Sequence, residues 1–381
     1  MLYRLSKNHY LFFERTLNLM TKFGIILYGT AIACMPSQAK AATHTDSTPS
    51  LKHVFAKHFL IGASVSPKNI KTEEGTLLLK HFNSITSENV MKMEPIHPEE
   101  HRYEWAGADS IAAFATRNGI RFRGHTLVWH KQSPKWMFLE PDGSTVTREH
   151  LLQRLKDHIF SVAGRYKGQI YAWDVVNEAI SDNPNEIYTK TPFYDIIGEA
   201  FIEMAFRWAH EADPSALLFY NDYKETDPVK REKIIRMVTD LKKKGVPIHG
   251  IGLQGHWSIH ELKSDALEAC LNDFSKTGLI LHITELDLSV WPGEPERRVK
   301  NERDAADGMT PEKDRAQREL YGMMFEKFRK YSNHIQAVTF WNISDRHSWL
   351  DEWPVWGRKD HPLLFDEALT PKSSFWKVIG Q

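Results

Sequence analysis

Eight short runs of β-branched and aromatic residues recur along this chain, separated by longer stretches of helical periodicity. The runs are 60–65, 84–87, 121–129, 170–176, 216–220, 250–254, 279–286 and 337–341. Between them apolar residues fall three and four apart, as in Ile111-x-x-Phe114-Ala115, Leu151-x-x-x-Leu155 through Ile159, Ile202-x-x-x-Phe206 and Ile234-Ile235-x-x-Val238. Strands alternating with helices in this way read as a βα series. Punctuation agrees. Asp227-Pro228 sets a capping acid before a proline suited to the first helical position, and Lys242-Lys243-Lys244-Gly245 ends that helix with cations and a glycine. Thr310-Pro311 repeats the opening signal, with Glu312 and Asp314 near the positive end of the helix dipole. Eight units predict a single closed (β/α)8 barrel of the α/β class over residues 51–381. An open doubly wound sheet would show a glycine-rich first turn, which Leu60-Ile61-Gly62-Ala63-Ser64 does not supply.

Residues 1–41 read as an export signal rather than as part of the domain. Met20-Thr21-Lys22, which could be the true start, precedes an apolar run at 23–34 that is too short to span a bilayer. The small residues Ala39-x-Ala41 then offer a cleavage site near 41. A secreted or periplasmic protein is expected, with a lipid-anchored outer-membrane form through Cys34 as the minor alternative. Cys270 is then the one cysteine of the mature chain, so no intramolecular disulfide can form and the fold rests on its core. Leu267-x-x-Cys270-Leu271 continues an apolar helix face, which makes Cys270 a small buried hydrophobe. No later segment approaches a spanning length. The 49 basic residues balance 49 acidic ones, which argues against a nucleic-acid partner, and a monomer is expected.

In a βα barrel the site forms where the strands end, and polar residues gather there. The second run ends in Ser87-Glu88-Asn89, followed by Lys92, and the third carries His125, Trp129 and His130. The fourth ends in Asn177-Glu178, the fifth in Asn221-Asp222 and the sixth in Gln254-Gly255-His256. The seventh holds Glu285 and Asp287, and the eighth carries Trp341 and leads to Asp345 and Trp349. Two carboxyl groups suffice to cleave an acetal, one protonating the departing oxygen and one meeting the oxocarbenium-like carbon. Glu178 reads as the acid/base, with Asn177 beside it for a sugar 2-hydroxyl. Glu285 reads as the nucleophile, with His256 and Asp287 to orient it. Glu285 and Asp287, two apart, share a face of a regular strand.

Each of these residues has a blander reading. A strand-end Glu is commonly solvated or salt-bridged, a lone His a structural donor, Asp174 an ion-pair anchor and Lys92 a surface cation. The charged run 294–303 reads as a solvated loop. The 19 His are scattered without a His-Glu-x-x-His pattern or paired cysteines, so neither a catalytic metal nor a cofactor is expected. There is no Gly-x-Ser-x-Gly elbow for an esterase. Twelve Trp suit the faces of sugar rings, although most Trp in any protein simply pack.

The segments Thr86-Ser87-Glu88-Asn89-Val90-Met91-Lys92, Arg123-Gly124-His125-Thr126-Leu127-Val128-Trp129-His130, Trp173-Asp174-Val175-Val176-Asn177-Glu178-Ala179 and Ile283-Thr284-Glu285-Leu286-Asp287 resemble the endo-1,4-β-xylanases of glycoside hydrolase family 10. The resemblance runs from about Leu51 to Ile379. It implies a barrel that cleaves xylan internally with retention, Glu178 as acid/base, Glu285 as nucleophile and His256 with Asp287 as its support. It further implies that Glu88, Asn89, Lys92, His125 and Trp129 bind sugar on the non-reducing side of the scissile bond. Asn177 would contact the 2-hydroxyl, Gln254 and Trp341 would line the same cleft, and Trp349 would act as an aromatic lid. Two departures stand out. Lys131 replaces a common Ser and is expected outside the immediate surroundings of the carboxyl pair, and Asn342 follows Trp341 where Gly is frequent. The rival readings are a barrel glucanase and a catalytically dead glycan-binding barrel.

Overall fold

Eight parallel strands close on themselves in the computed structural model, which describes residues 48–305 and 308–381. They are β1 (Leu60–Val65), β2 (Ser84–Ser87), β3 (Arg121–Val128), β4 (Ile170–Asn177), β5 (Leu217–Asp222), β6 (Gly250–Leu253), β7 (Ile280–Ser289) and β8 (Ile335–Phe340). Each pairs with its sequence neighbour. Closure comes from β8, which pairs with β1 at Leu60↔Ala337 and with β7 at Ile335↔Leu281. A short extra strand, His256–Ser258, pairs with the far end of β7 at His256↔Asp287. The export signal read at 1–41, with Met20 and Cys34, lies outside the described residues. Thr48–Gln381 forms one compact unit. No described helix is long and apolar enough to cross a membrane.

The strands differ from the expected runs chiefly at their ends. The ladder of β4 takes in Asn177, paired with Asn221, and β5 runs on to Asp222, paired with Leu253. Likewise β7 continues to Ser289, whereas β3 stops at Val128 and β8 begins at Ile335. Apolar patterning marks where a strand faces a core, but backbone pairing continues under polar side chains. At β4, β5 and β7 the strand ends that carry the site are therefore longer than hydrophobicity suggests.

The major helices are α1 (Glu73–His81), α2 (Ala106–Asn118), α3 (Arg148–Arg165), α4 (Ala200–Ala212), α5 (Pro228–Lys243), α6 (Ser264–Ser275) and α7 (Pro311–Lys330). The expected caps are formed. Asp227 accepts from the Lys230 N–H at 2.8 Å and Thr310 from the Lys313 N–H at 3.3 Å, each satisfying an otherwise orphan donor of the first turn. The inner face of α7 buries Tyr321, Met324, Phe325 and Phe328 against β8. Phe325 sits at the centre of this packing, 5.1 Å from the Phe55 ring, 5.5 Å from Phe328 and 6.1 Å from Phe340. Cys270 is fully buried on α6.

Inside the barrel lies a polar floor. Arg123 and Asp174, both buried, form a bidentate ion pair between β3 and β4, so Asp174 is the anchor its bland reading foresaw. Asp174 also accepts from His125 Nδ1 at 2.9 Å and thereby fixes that ring just below the mouth of the barrel.

Candidate active site

Glu178 stands one residue beyond β4 with φ of 58°, a left-handed conformation that a residue with a Cβ adopts at a cost of about 1–3 kcal/mol. Its neighbours hold it there. The Glu178 N–H donates to the Asn221 carbonyl at 3.0 Å, and the Ala179 and Ile180 N–H groups both donate to the Tyr220 hydroxyl at 3.0 Å. Tyr220 in turn donates to Asp222. The turn presents the Glu178 carboxyl to the barrel mouth, where Oε1 accepts from Gln254 Nε2 at 3.1 Å.

Glu285 lies within β7 and is gripped at both oxygens. Oε1 accepts from Asn221 Nδ2 at 2.7 Å and has His125 Nδ1 at 3.9 Å. Oε2 meets His256 Nε2 at 3.2 Å. His256 Nδ1 is 2.8 Å from Asp287, which also accepts from Trp349 Nε1 at 2.8 Å. Asn221 is oriented by the Thr284 hydroxyl, which donates to its Oδ1 at 2.6 Å. Asn177 lies within hydrogen-bond distance of Asn221, Gln254 and Trp129, between the two carboxyls.

On one side of this pair opens a cleft of about 450 Å³, lined by Glu88, Asn89, Lys92, Trp341 and Trp349 among others. Lys92 is buried, not a surface cation. Its Nζ donates to Asn89 Oδ1 at 2.9 Å and sits 5.1 Å from the Trp129 ring and 5.9 Å from Trp341. Trp341 packs edge-on to His125 at 5.3 Å, and Trp349 lies 4.9 Å from the His256 ring. Glu88, Asn89, Lys92, Trp129, Trp341 and Trp349 therefore adjoin the Glu178–Glu285 pair and its partners Asn177, Gln254, His125, His256 and Asp287, whereas Cys270 lies apart on α6 and Asp345 pairs with Lys372.

The electrostatics separate the two carboxyls from their ordinary behaviour. Burial alone would raise Glu285, but the charge of His125, the hydrogen bond and charge of His256 and the charge of Lys92 hold it at about 2. His256 is likewise opposed by burial, yet Asp287 and Glu285 lift it to about 10, so it is a cation at neutral pH. Glu178 is also pushed up by burial. Lys131, by charge and hydrogen bond, then Gln254 and Trp129 bring it below the usual glutamate value. Burial raises Glu88 and lowers Lys92.

Two expectations need correcting, those for Lys131 and for the run 294–303. Lys131 is in the immediate surroundings of the pair, with Nζ 2.7 Å from Glu178 Oε2, because the chain turns into a short 3-10 segment after Trp129 and points this side chain back over the mouth. Run 294–303 is more than a solvated loop. Arg298–Val299 pairs with Val355–Trp356, and Glu294, Arg298, Asp304 and Arg358 form a linked set of ion pairs. Asn342 tolerates a position where glycine is favoured, with φ of 107°, and its side chain partly offsets the rise that burial causes in Glu88. Asn221 was visible only as the polar end of its run. The signal that could have identified it is Gly252 on β6: a Cβ there would strike the Asn221 amide and lie 3.0 Å from Thr284 Cγ2. Among the described residues no group of three or more His, Cys, Asp or Glu could hold a metal ion.

A parallel barrel whose strand ends converge on two buried carboxyls, amid amides and Trp faces, defines a glycoside hydrolase. The model of glycosyl hydrolase family 10 matches residues 50–381, and the chain belongs to that family. It is 50% identical over 333 residues to endo-1,4-beta-xylanase B of Paenibacillus barcinonensis, covering 87% of this chain and 98% of that protein. It is 47% identical to beta-1,4-xylanase of Dictyoglomus thermophilum, covering 93% and 96%. The crystal structure of xylanase XynB from Paenibacillus barcinonensis complexed with a conduramine derivative superposes with a TM-score of 0.84 at 49% identity, covering 88% of this chain and all of that one.

Proposed function

We propose that the protein is an endo-1,4-β-xylanase that hydrolyses internal β-1,4-xylosidic linkages of xylan with retention at the anomeric carbon. In the first step Glu285 attacks C1 while Glu178 gives its proton to the glycosidic oxygen. The C1–O bond breaks and a covalent xylosyl-enzyme remains. In the second step Glu178 takes a proton from water, whose oxygen bonds to C1 and expels Glu285. Asn177 contacts the 2-hydroxyl of the reacting sugar, an interaction that tightens as charge develops at C1. His256 and Asp287 orient the nucleophile. Glu88, Asn89, Lys92, His125 and Trp129 hold the sugars on the non-reducing side, with Gln254 and Trp341 lining the cleft and Trp349 covering it.

The observation that carries this reading is the treatment of Glu285, a buried carboxylate held ionised by Asn221, His256 and His125. A nucleophile must be ionised and aimed before substrate arrives. The relatives named above are xylanases by description, and xylose lacks the C5 hydroxymethyl that would distinguish a glucan chain. A time course of products from soluble xylan, separated by chromatography and compared with carboxymethylcellulose, tests the assignment. Early appearance of mixed xylo-oligosaccharides supports it. Faster release from the cellulose derivative, or xylan binding without cleavage, overturns it.

The reading extends to location and assembly. Residues 1–41 act as an export signal, cleaved near 41. The intact mass of protein recovered outside the cytoplasm tests this, with diacylation at Cys34 as the competing outcome. A monomer is proposed, and scattering mass in solution checks it.

A further inference from the structure

One cation at the barrel mouth has no part in the reaction as written above. Lys131 leaves β3 just after Trp129 and His130, and its Nζ reaches Oε2 of Glu178 at 2.7 Å. That is the oxygen opposite the one accepting from Gln254. Two rings guide the side chain, with Nζ 5.7 Å from the Trp129 centroid and 5.3 Å from that of Tyr223. The Lys131 side chain is 52% exposed, while that of Glu178 is 8% exposed. A buried carboxyl is therefore capped by a cation that remains half in water.

Other groups that face Glu178 are Lys92 after β2, His130 beside Lys131, Asp222 and Tyr223 at the end of β5, and Glu285 on β7. Among the described residues Lys131 is the one in ion-pair contact with it. The carboxyl of Asp222 opposes ionisation of Glu178. Lys92 favours it but is shared with Glu285 and Glu88. The pair with Lys131 is thus the contact that decides the balance.

We propose that Lys131 is a positioning residue acting through Glu178, holding the acid/base carboxyl ionised and so favouring proton uptake from water in the second step over proton donation to the leaving sugar in the first. The inference rests on Glu178 being the acid/base. Two opposite kinetic consequences follow. Cleavage of xylan needs protonated Glu178, so the alkaline limb of kcat/KM reports its ionisation, and Lys131 draws that limb to lower pH. Hydrolysis of the xylosyl-enzyme needs ionised Glu178, so Lys131 speeds that step on the acid side.

The test compares the wild type with Lys131→Met and Lys131→Arg on soluble xylan and on dinitrophenyl β-xylobioside, whose leaving group needs no proton. In Lys131→Met the alkaline limb on xylan moves up by about one pH unit, the low end for an opposite charge at this distance because Lys131 is half exposed. Turnover of the aryl substrate falls several-fold on the acid side, where the xylosyl-enzyme waits for its base. Lys131→Arg keeps the wild-type profile. An unmoved limb in Lys131→Met, or equal behaviour of the Met and Arg variants, overturns the inference. A wild type that releases no xylo-oligosaccharide would instead sink the proposed function.

Discussion

Replacing His256 by Gln separates the charge of that residue from its ability to donate a hydrogen bond. The imidazole lies 3.2 Å from Glu285 Oε2 and is a cation at neutral pH, since Asp287 and Glu285 together outweigh its burial. Two unit charges at that distance attract by about 5 kcal/mol at an effective dielectric constant of about 20. Burial of both groups consumes part of this. What remains contributes to the fall of Glu285 from 4.5 to about 2, equivalent to about 3 kcal/mol in favour of the ionised form. Glu285 attacks only when ionised, so activity disappears as pH falls through its pKa. In the wild type that loss belongs near pH 2. Without the cation, His125, Lys92 and Asn221 still support the carboxylate, but burial regains ground and the pKa rises by about 1–2 units. The acid limb of kcat/KM should therefore appear between about pH 3 and pH 4. The assay is initial rates on aryl β-xylobiosides from pH 2.5 to 7, with circular dichroism at each pH to show that the fold persists. An acid limb coincident with that of the wild type would refute the reasoning. Loss of activity at every pH without movement of the limb would show that His256 matters for geometry and not for charge.

Three other perturbations read separate parts of the molecule. Glu285→Ala should abolish xylan cleavage, whereas Glu178→Ala should still form the xylosyl-enzyme from substrates with good leaving groups and then release it slowly, seen as a burst in stopped-flow absorbance. Gly252→Ala drives a methyl into the Asn221 amide and against Thr284, which should destabilise the fold by about 1–3 kcal/mol in urea denaturation and lower kcat by loosening Glu285. Phe325→Ala empties the aromatic packing between α7 and β8 and should cost about 3–5 kcal/mol, measured by thermal melting, while leaving the pH profile of the remaining activity in place.

Much of this architecture is legible in the residues because periodicity is local. A strand of two-residue period and a helix of 3.6-residue period declare themselves within a dozen positions, and eight alternations leave few ways to close. Strand ends are legible for the same reason: Glu178 and Glu285 each follow an apolar run, and Asp287 shares a face with Glu285 by parity alone. Lys92 shows the limit. Its own neighbourhood reads as surface, and only the convergence of β2, β3 and β8 encloses it between Trp129 and Trp341.

The sequence by itself determined the order of elements, the caps at Asp227 and Thr310, and the pair of glutamates with their immediate neighbours, because each depends on spacing along one chain. Only the tertiary structure decided the states of those groups. Asn221 grips the nucleophile from β5 across 64 positions, Asp174 steadies His125 from a neighbouring strand, and Lys131 reaches back to the acid/base across 47. Charge and hydrogen bonding act through space over a few ångströms, and no local pattern records which distant side chain will fill that space.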